Sequence, residues 1–168
     1  EVNEFKLSKS QKRILSKNRD LTLRLCPIQA TQEHVDLINL FQADRSDKKD
    51  WEAQSYTLDS YRYSFVGPFD WCYELQIRTP DGTLIGVCLM DFTPHAQSSV
   101  YFYSHPDWSS RSLGTWSALK EIEIAQQDHR SRVYMGLWND ECLSLAYKAR
   151  FQGHITTPYI TPTDDILS

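Results

Sequence analysis

Apolar positions along the chain follow two spacings, and their order predicts the architecture. Ser8 to Asn18 sets Ile14 and Leu15, with Leu7 just ahead, among cations. That is an amphipathic helix with Ser8 as its N-cap. Leu21, Leu23 and Leu25 alternate, which predicts a strand closed by Pro27. Thr31 can cap a second helix running to about Ala43, with Val35, Ile38 and Phe41 on one face. The polar run Asp44 to Asp50 reads as a loop, and Thr57 to Ser64 as a short helix.

The period then changes. Trp71 to Arg78 reads as a strand, Pro80-Asp81-Gly82 as a hairpin turn, and Leu84 to Phe92 as a nearly unbroken apolar strand that belongs at the sheet centre. Pro94 to Gln97 turns the chain into a third strand, Ser98 to Ser104. A loop, Pro106 to Gly114, leads to a helix from Thr115 to about Asp128 with the stripe Trp116, Leu119, Ile122 and Ala125. Val133 to Trp138 is a further strand, Asp140 or Glu141 to about Lys148 a short helix, and Phe151 to Thr156 begins a last strand. Residues 157–168 form a tail without clear periodicity. The order predicts one α/β (α+β) domain over residues 1–168, a central, mostly antiparallel mixed sheet flanked by helices. It resembles the order of the GNAT acyltransferases.

Composition narrows the choices. Of 168 residues, 40% are apolar, enough for one core. The longest near-apolar run, Leu84 to Met90, is too short to span a membrane, and no signal segment opens the chain. The first residue is Glu1 rather than Met, so the chain reads as trimmed or as part of a longer product. Four cysteines lie far apart in sequence, without a CxxC pair, and Cys88 sits in the apolar run. Buried structural thiols suit a reducing cytoplasm. The net charge is −4, yet Phe5 to Arg24 carries seven cations and one anion, +6 against −10 for the other 148 residues. That asymmetry fits either a nucleic-acid footprint or a solvated helix face.

Three clusters could carry chemistry. Arg111-Ser112-Leu113-Gly114 precedes a helix, where unpaired N–H groups and the helix dipole favour an anion such as phosphate. The alternative is an ordinary helix start. Asp91, near the end of the central strand, could orient or deprotonate an attacking amine, or could cap the turn at Pro94. Tyr147-Lys148-Ala149-Arg150-Phe151 could hold a substrate carboxylate, or could compensate a helix C-terminus. The five histidines are scattered without metal-ligand spacing, so no metal site is expected.

Read together, these segments resemble the arginyl/leucyl-tRNA–protein transferases. The carrying motifs are Ser8-Lys-Ser-Gln-Lys-Arg-Ile-Leu-Ser-Lys-Asn18 with Asp20-Leu-Thr, Met90-Asp91, Ser98-Ser-Val-Tyr101, Pro106-Asp107 with Arg111 to Gly114, Tyr134-Met-Gly-Leu-Trp138, and Tyr147 to Phe151. They occur in order over roughly Phe5 to His154. The resemblance covers the catalytic half alone; the family's amino-terminal cysteine cluster has no counterpart in this sequence.

The resemblance implies a GNAT-like fold and transfer of leucine or arginine from a charged tRNA to the amine of a protein N-terminus, a peptide or a small natural product. Aminoacyl-tRNA would be the co-substrate, with no cofactor or metal, in a cytoplasmic monomer of the N-degron type. It implies Asp91 and Tyr147 as catalytic residues. Arg111, Ser112, Leu113, Gly114, Lys12 and Arg13 would meet the tRNA, and Lys148, Arg150, Tyr101 and Trp138 the acceptor. The helix start and Asp91 are expected to face each other in one pocket. Departures from the pattern are Ser110 for a loop arginine, Leu137 for a tyrosine and Ser144-Leu145 for Lys-Met. The shared fold leaves an acyl-CoA-dependent acetyltransferase and a non-catalytic degron or tRNA reader as alternatives.

Overall fold

Strand pairing organises the chain. In a computed structural model, which describes residues 1–49, 52, 54–139 and 141–156, one five-stranded sheet runs β1 (Thr22–Pro27), β2 (Cys72–Arg78), β3 (Leu84–Phe92), β4 (Ala96–Ser104), β5 (Arg132–Tyr134). The first four strands pair antiparallel, and β5 lies parallel to β4. The central position expected of the apolar strand is the one β3 takes; seven of its residues, Leu84 to Met90, are buried. The β2–β3 hairpin closes where Gly82, at φ +91°, donates to the Thr79 carbonyl.

Helices cover both faces. On one, α2 (Gln32–Lys49) and α3 (Leu58–Phe65) pack Val35, Ile38 and Tyr61 against Val87, Leu89 and Tyr103. The Tyr61 and Tyr103 hydroxyls meet at 2.7 Å inside this layer. A buried polar strut joins α2 to β2. His34 lies 2.6 Å from Thr31 Oγ1 through Nδ1 and 3.0 Å from Glu74 Oε1 through Nε2. On the other face, α4 (Leu113–Gln127) sets Leu113 and Trp116 against Ile77 and Ile85, and α1 (Lys9–Lys17) packs Ile14 and Leu15 beside them. The α4 stripe read from the sequence, Trp116, Leu119, Ile122 and Ala125, is buried throughout.

Side chains explain where the helices start. Ser8 and Gln11 form a reciprocal capping box on α1, as Thr57 and Ser60 do on α3. The first forms where Ser8 was expected to cap. Leu7, expected to be available to the core, is exposed instead.

Several expectations are corrected. The supposed loop from Asp44 is helical to Lys49, held by an i,i+4 ion pair, Asp44–Lys48, and by Arg45 over the Phe41 ring; Asp50 lies outside the described residues. The loop before α4 is largely a 3-10 helix, Pro106–Arg111, and α4 begins at Leu113 rather than Thr115. The strand expected to reach Trp138 stops at Tyr134, because Gly136 at φ +72° turns the backbone away. The helix expected up to Lys148 is a short α5 (Leu143–Ala146) and a 3-10 turn, Tyr147–Arg150, with Asp140 outside the described residues. Residues 151–156 are turn and coil, not a strand. The tail 157–168 lies outside the described residues.

Two irregularities position the site. Leu89 pairs with Tyr101 and Met90 with Ser99, so Val100 is an extra residue on β4, a bulge. In addition, β5 pairs with β4 only over Ala96–Ser98. Beyond Ser98 the two parallel strands part, and the sheet opens into a fork.

Candidate active site

The fork closes at Ser99 and Gly136. A Cβ built on Gly136 would lie 3.8 Å from the Ser99 carbonyl oxygen and 3.7 Å from Lys148 Nζ. The Lys148 ammonium thus sits where the strands separate, donating to the Leu137 carbonyl at 2.8 Å. Burial lowers its pKa, and the charge of Glu121 opposes that shift. Glu121 stands on α4 beneath the fork, 2% exposed. Its Oε1 accepts from Ser117 Oγ at 3.1 Å and from Cys88 Sγ at 3.3 Å. Burial raises its pKa, while hydrogen bonds from Cys88 and Ser117 and the Lys148 charge pull the other way. Tyr147, half-buried in the same turn as Lys148, has its phenol pushed up by burial and by Glu121. A cleft of about 780 Å³ follows β5 outward, lined by Tyr134, Met135, Leu137, Trp138 and Lys148 among others.

Asp91 lies one strand away from this fork, on β3. It pairs with Ser98 on β4 and with Cys72 on β2. Strand alternation puts it on the face of Leu89, toward α2 and α3, whereas Cys88 and Met90 face α4. The Cys72 thiol is pushed up to about 11, by burial first and then by Asp91. Tyr101 shares this face; its ring stacks on Phe65 and its hydroxyl accepts from Gln42 Nε2 at 3.0 Å. Asp91 and Tyr101 therefore share the α2/α3 face of the sheet, while Lys148 and Trp138 line the cleft beside β5 with Tyr147 in the adjoining turn. Arg150 is exposed; its carbonyl accepts from Gln11 of α1.

The phosphate-binding expectation is corrected in two respects. Gly86 of β3 pairs with Ser104, just before the Pro106–Arg111 turn, while Asp91 lies five residues further along β3. That is roughly 17 Å of strand, so the start of α4 and Asp91 do not face each other in one pocket. Arg111 is also committed within the protein. Its Nε donates to Asn18 Oδ1 at 2.9 Å, Nη2 to the Lys17 carbonyl at 2.7 Å, and Nη1 and Nη2 to the Asp20 carboxylate. The guanidinium also lies over the Trp108 ring. It clamps the end of α1 to the turn. Leu113 is core. Gly114 lets the first turn of α4 approach Phe102, which a Cβ would meet at 3.4 Å.

What remains of an anion site is backbone. Ser112 is in the left-handed region, at φ 54°, without a side-chain cap. Among the described residues, the N–H groups of Leu113, Gly114 and Thr115 have no acceptor. Beside them runs α1, tied down at Lys17–Ser110 and at Gln11–Arg150, with Lys12 and Arg13 exposed and in no ion pair among the described residues.

Sequence reasoning missed Glu121, Ser99 and Gly136. Glu121 carried a signal, as one carboxylate in a helix whose neighbours Ala118, Leu119 and Ile122 are apolar and buried. Among the described residues, no His/Cys/Asp/Glu cluster could hold a metal, and no helix is long and apolar enough to cross a membrane.

A bulged fourth strand, a parallel fifth that splays from it and a helix between them define the GNAT acyltransferase fold. A ribosomal-protein-alanine N-acetyltransferase from Brucella melitensis superposes with TM-score 0.57 at 14% identity, over 85% of this chain and 99% of that one. A GNAT family acetyltransferase from Staphylococcus aureus gives 0.56 at 11%, over 86% and 98%. The sequence is more specific. Residues 33–157 match the family described as arginine-tRNA-protein transferase, C terminus, and the chain belongs to that family. Aspartate/glutamate leucyltransferases from Helicobacter hepaticus and Xanthomonas axonopodis pv. citri are 33% and 32% identical over 89% of this chain. The chain spans about three fifths of the length of these curated relatives, 62% and 61%.

Proposed function

We propose that this chain transfers an amino acid, leucine in the first instance, from a charged tRNA to the α-amine of a protein or peptide beginning with Asp or Glu. The amine attacks the ester carbonyl at the tRNA 3′ end. A tetrahedral oxyanion forms and collapses to an amide, and the ribose hydroxyl leaves with a proton. An α-amine has a pKa near ~8, so its lone pair needs only modest assistance at neutral pH.

The observation that carries this reading is the fork, with the Lys148 ammonium at its closed end and the Asp91 carboxylate one strand away on β3. Asp91 would orient the amine or take its proton from the face of α2 and α3. Lys148, with Tyr147 and Arg150 nearby, would meet the acceptor's acidic group. Tyr101 and Trp138 would wall the opening. The free N–H groups at the start of α4 and the cations of α1, Lys12 and Arg13, would receive the tRNA phosphates, with the single-stranded 3′ end lying along β4 toward the fork. The leucyltransferase names of the relatives support leucine and acidic acceptors, and the buried thiols of Cys26 and Cys88 suit a reducing, cytoplasmic setting.

Labelled leucyl-tRNA, arginyl-tRNA and acetyl-CoA should each be incubated with the chain and with peptides that begin with Asp, Glu, Lys or Ala. Label moving from leucyl-tRNA to the Asp and Glu peptides supports the reading. Label moving only from acetyl-CoA would replace it with an ordinary acetyltransferase.

A further inference from the structure

A carboxylate inside a helix–sheet interface has to be explained. Glu121 is 2% exposed, on a buried helix face whose other residues, Ser117 apart, are apolar, among them Ala118, Leu119, Ile122 and Ala125. An apolar side chain there would pack without a desolvation cost, and buried charges are rarely retained for stability. Its Oε1 is satisfied by Ser117 and Cys88 and its own backbone carbonyl by Gln97, but Oε2 is buried with no hydrogen-bond partner. Across the floor of the fork, Lys148 Nζ uses one of its three donors on the Leu137 carbonyl. Ser99 links the two groups without a direct ion pair between them among the described residues: its Oγ lies 3.5 Å from Cys88 Sγ, the donor to Glu121, and its carbonyl oxygen lies 3.8 Å from the Gly136 Cβ position that is 3.7 Å from Lys148 Nζ. An unmet buried acceptor and an ammonium with donors to spare thus flank the same residue, Ser99.

We propose that Glu121 is a positioning residue that holds the Lys148 ammonium in the fork, where it meets the carboxylate of an acidic acceptor. This rests on the functional reading above. Glu121 does not itself reach substrate. It is buried behind Cys88 and Ser99, whereas Lys148 lies at Gly136 and lines the cleft. Holding the cation from below leaves its remaining donors for a carboxylate above, and the low-dielectric floor makes that attraction stronger than at an exposed lysine.

The groups facing Glu121 come from four elements. Cys88 belongs to β3, Ser99 and Gln97 to β4, Ser117 to α4 itself, and Tyr147 and Lys148 to the 3-10 turn. The Glu1–Arg132 pair lies at the exposed rim. Burial pushes both Cys88 and Tyr147 upward, away from neutrality, whereas it moves Glu121 up and Lys148 down.

The test separates this proposal from the functional reading. Lys148 is labelled with an amine-selective acylating reagent across pH in the wild type and in Glu121→Gln, and modification is read by peptide mass spectrometry. The variant keeps the shape and the acceptor oxygen but removes the charge. Without the carboxylate the ammonium loses its proton more readily, so the labelling midpoint should fall by about one pH unit, a tenfold change in the charged fraction at fixed pH. Transfer to an Asp-initiated peptide should show its alkaline decline shifted the same way, with KM for the peptide raised about tenfold and kcat little changed. An unmoved labelling midpoint overturns the proposal whether or not transfer is seen. A moved midpoint with an unchanged pH profile and KM overturns the positioning role. A moved midpoint in a wild-type chain that transfers nothing overturns the functional reading, and with it the role in acceptor binding. Should Glu121→Gln not fold, Lys148→Arg carries the test. A cation that does not titrate should abolish the alkaline decline, and its persistence overturns the proposal.

Discussion

Arg111 spends its guanidinium on Asn18, Lys17 and Asp20, so its removal should be felt in stability before binding. Hydrogen bonds from a charged donor contribute a net ~1.5–3 kcal/mol, less where water reaches the pair. Arg111→Ala is expected to lower unfolding stability by about 2 kcal/mol in urea titrations; an unchanged midpoint would show that the clamp holds nothing. Asp91 is expected to behave in the opposite way. Asp91→Asn should cut turnover by ~100-fold or more with tRNA affinity retained, in line with loss of a positioned base. Turnover equal to wild type would remove its role. The sequence exposed both residues as candidates, since a charge in an apolar strand and a charge before a helix are visible in one dimension. It could not say which was already paired. Asn18 and Asp20 lie some ninety positions from Arg111, and only the packing of α1 on α4 brings them together.

Elements with local causes were legible. The N-cap Ser8, the short helix after Thr57, the hairpin at Gly82 and the α4 stripe all formed where spacing put them. The errors lie where tertiary geometry outweighs local pattern. A charged run at Asp44 to Lys48 reads as loop by composition, but its i,i+4 pairing keeps α2 helical. Val133 to Trp138 has strand spacing throughout, yet the fork needs the strand to leave its partner after Tyr134. At this scale α1 makes the clearest claim. Lys12 and Arg13 project from a helix pinned at both ends, so changing them to Ala should weaken tRNA binding without loss of fold. Each phosphate contact removed should reduce the slope of log affinity against log salt by roughly 0.7–0.9. An unaltered slope would mark α1 as a solvated face.

At the scale of the whole molecule, the acid buried between α4 and the sheet should leave a signature in stability. Burial holds folded-state Glu121 above its ordinary value of 4.5, so as pH rises the unfolded chain releases this proton first. The group's stabilising contribution is complete below that ordinary value and is lost as pH passes through the folded one. Glu121→Gln has no such loss. Its stability relative to wild type should improve as pH rises above the ordinary value of 4.5 in denaturant titrations; a difference independent of pH would contradict the burial that raises Glu121. None of this arrangement was available from spacing, because Cys88, Ser99, Glu121, Gly136 and Lys148 come from five separate segments.

The central claim is that a tRNA-borne ester is delivered into the opening between β4 and β5. Cross-linking from a tRNA charged with a photoreactive leucine analogue, followed by peptide mapping, tests it most directly. Adducts are expected in the segments around Ser99 to Tyr103 and Tyr134 to Trp138. Adducts confined to the separate hollow of about 470 Å³ lined by Leu25, Trp71, Tyr73 and Arg130 would contradict it.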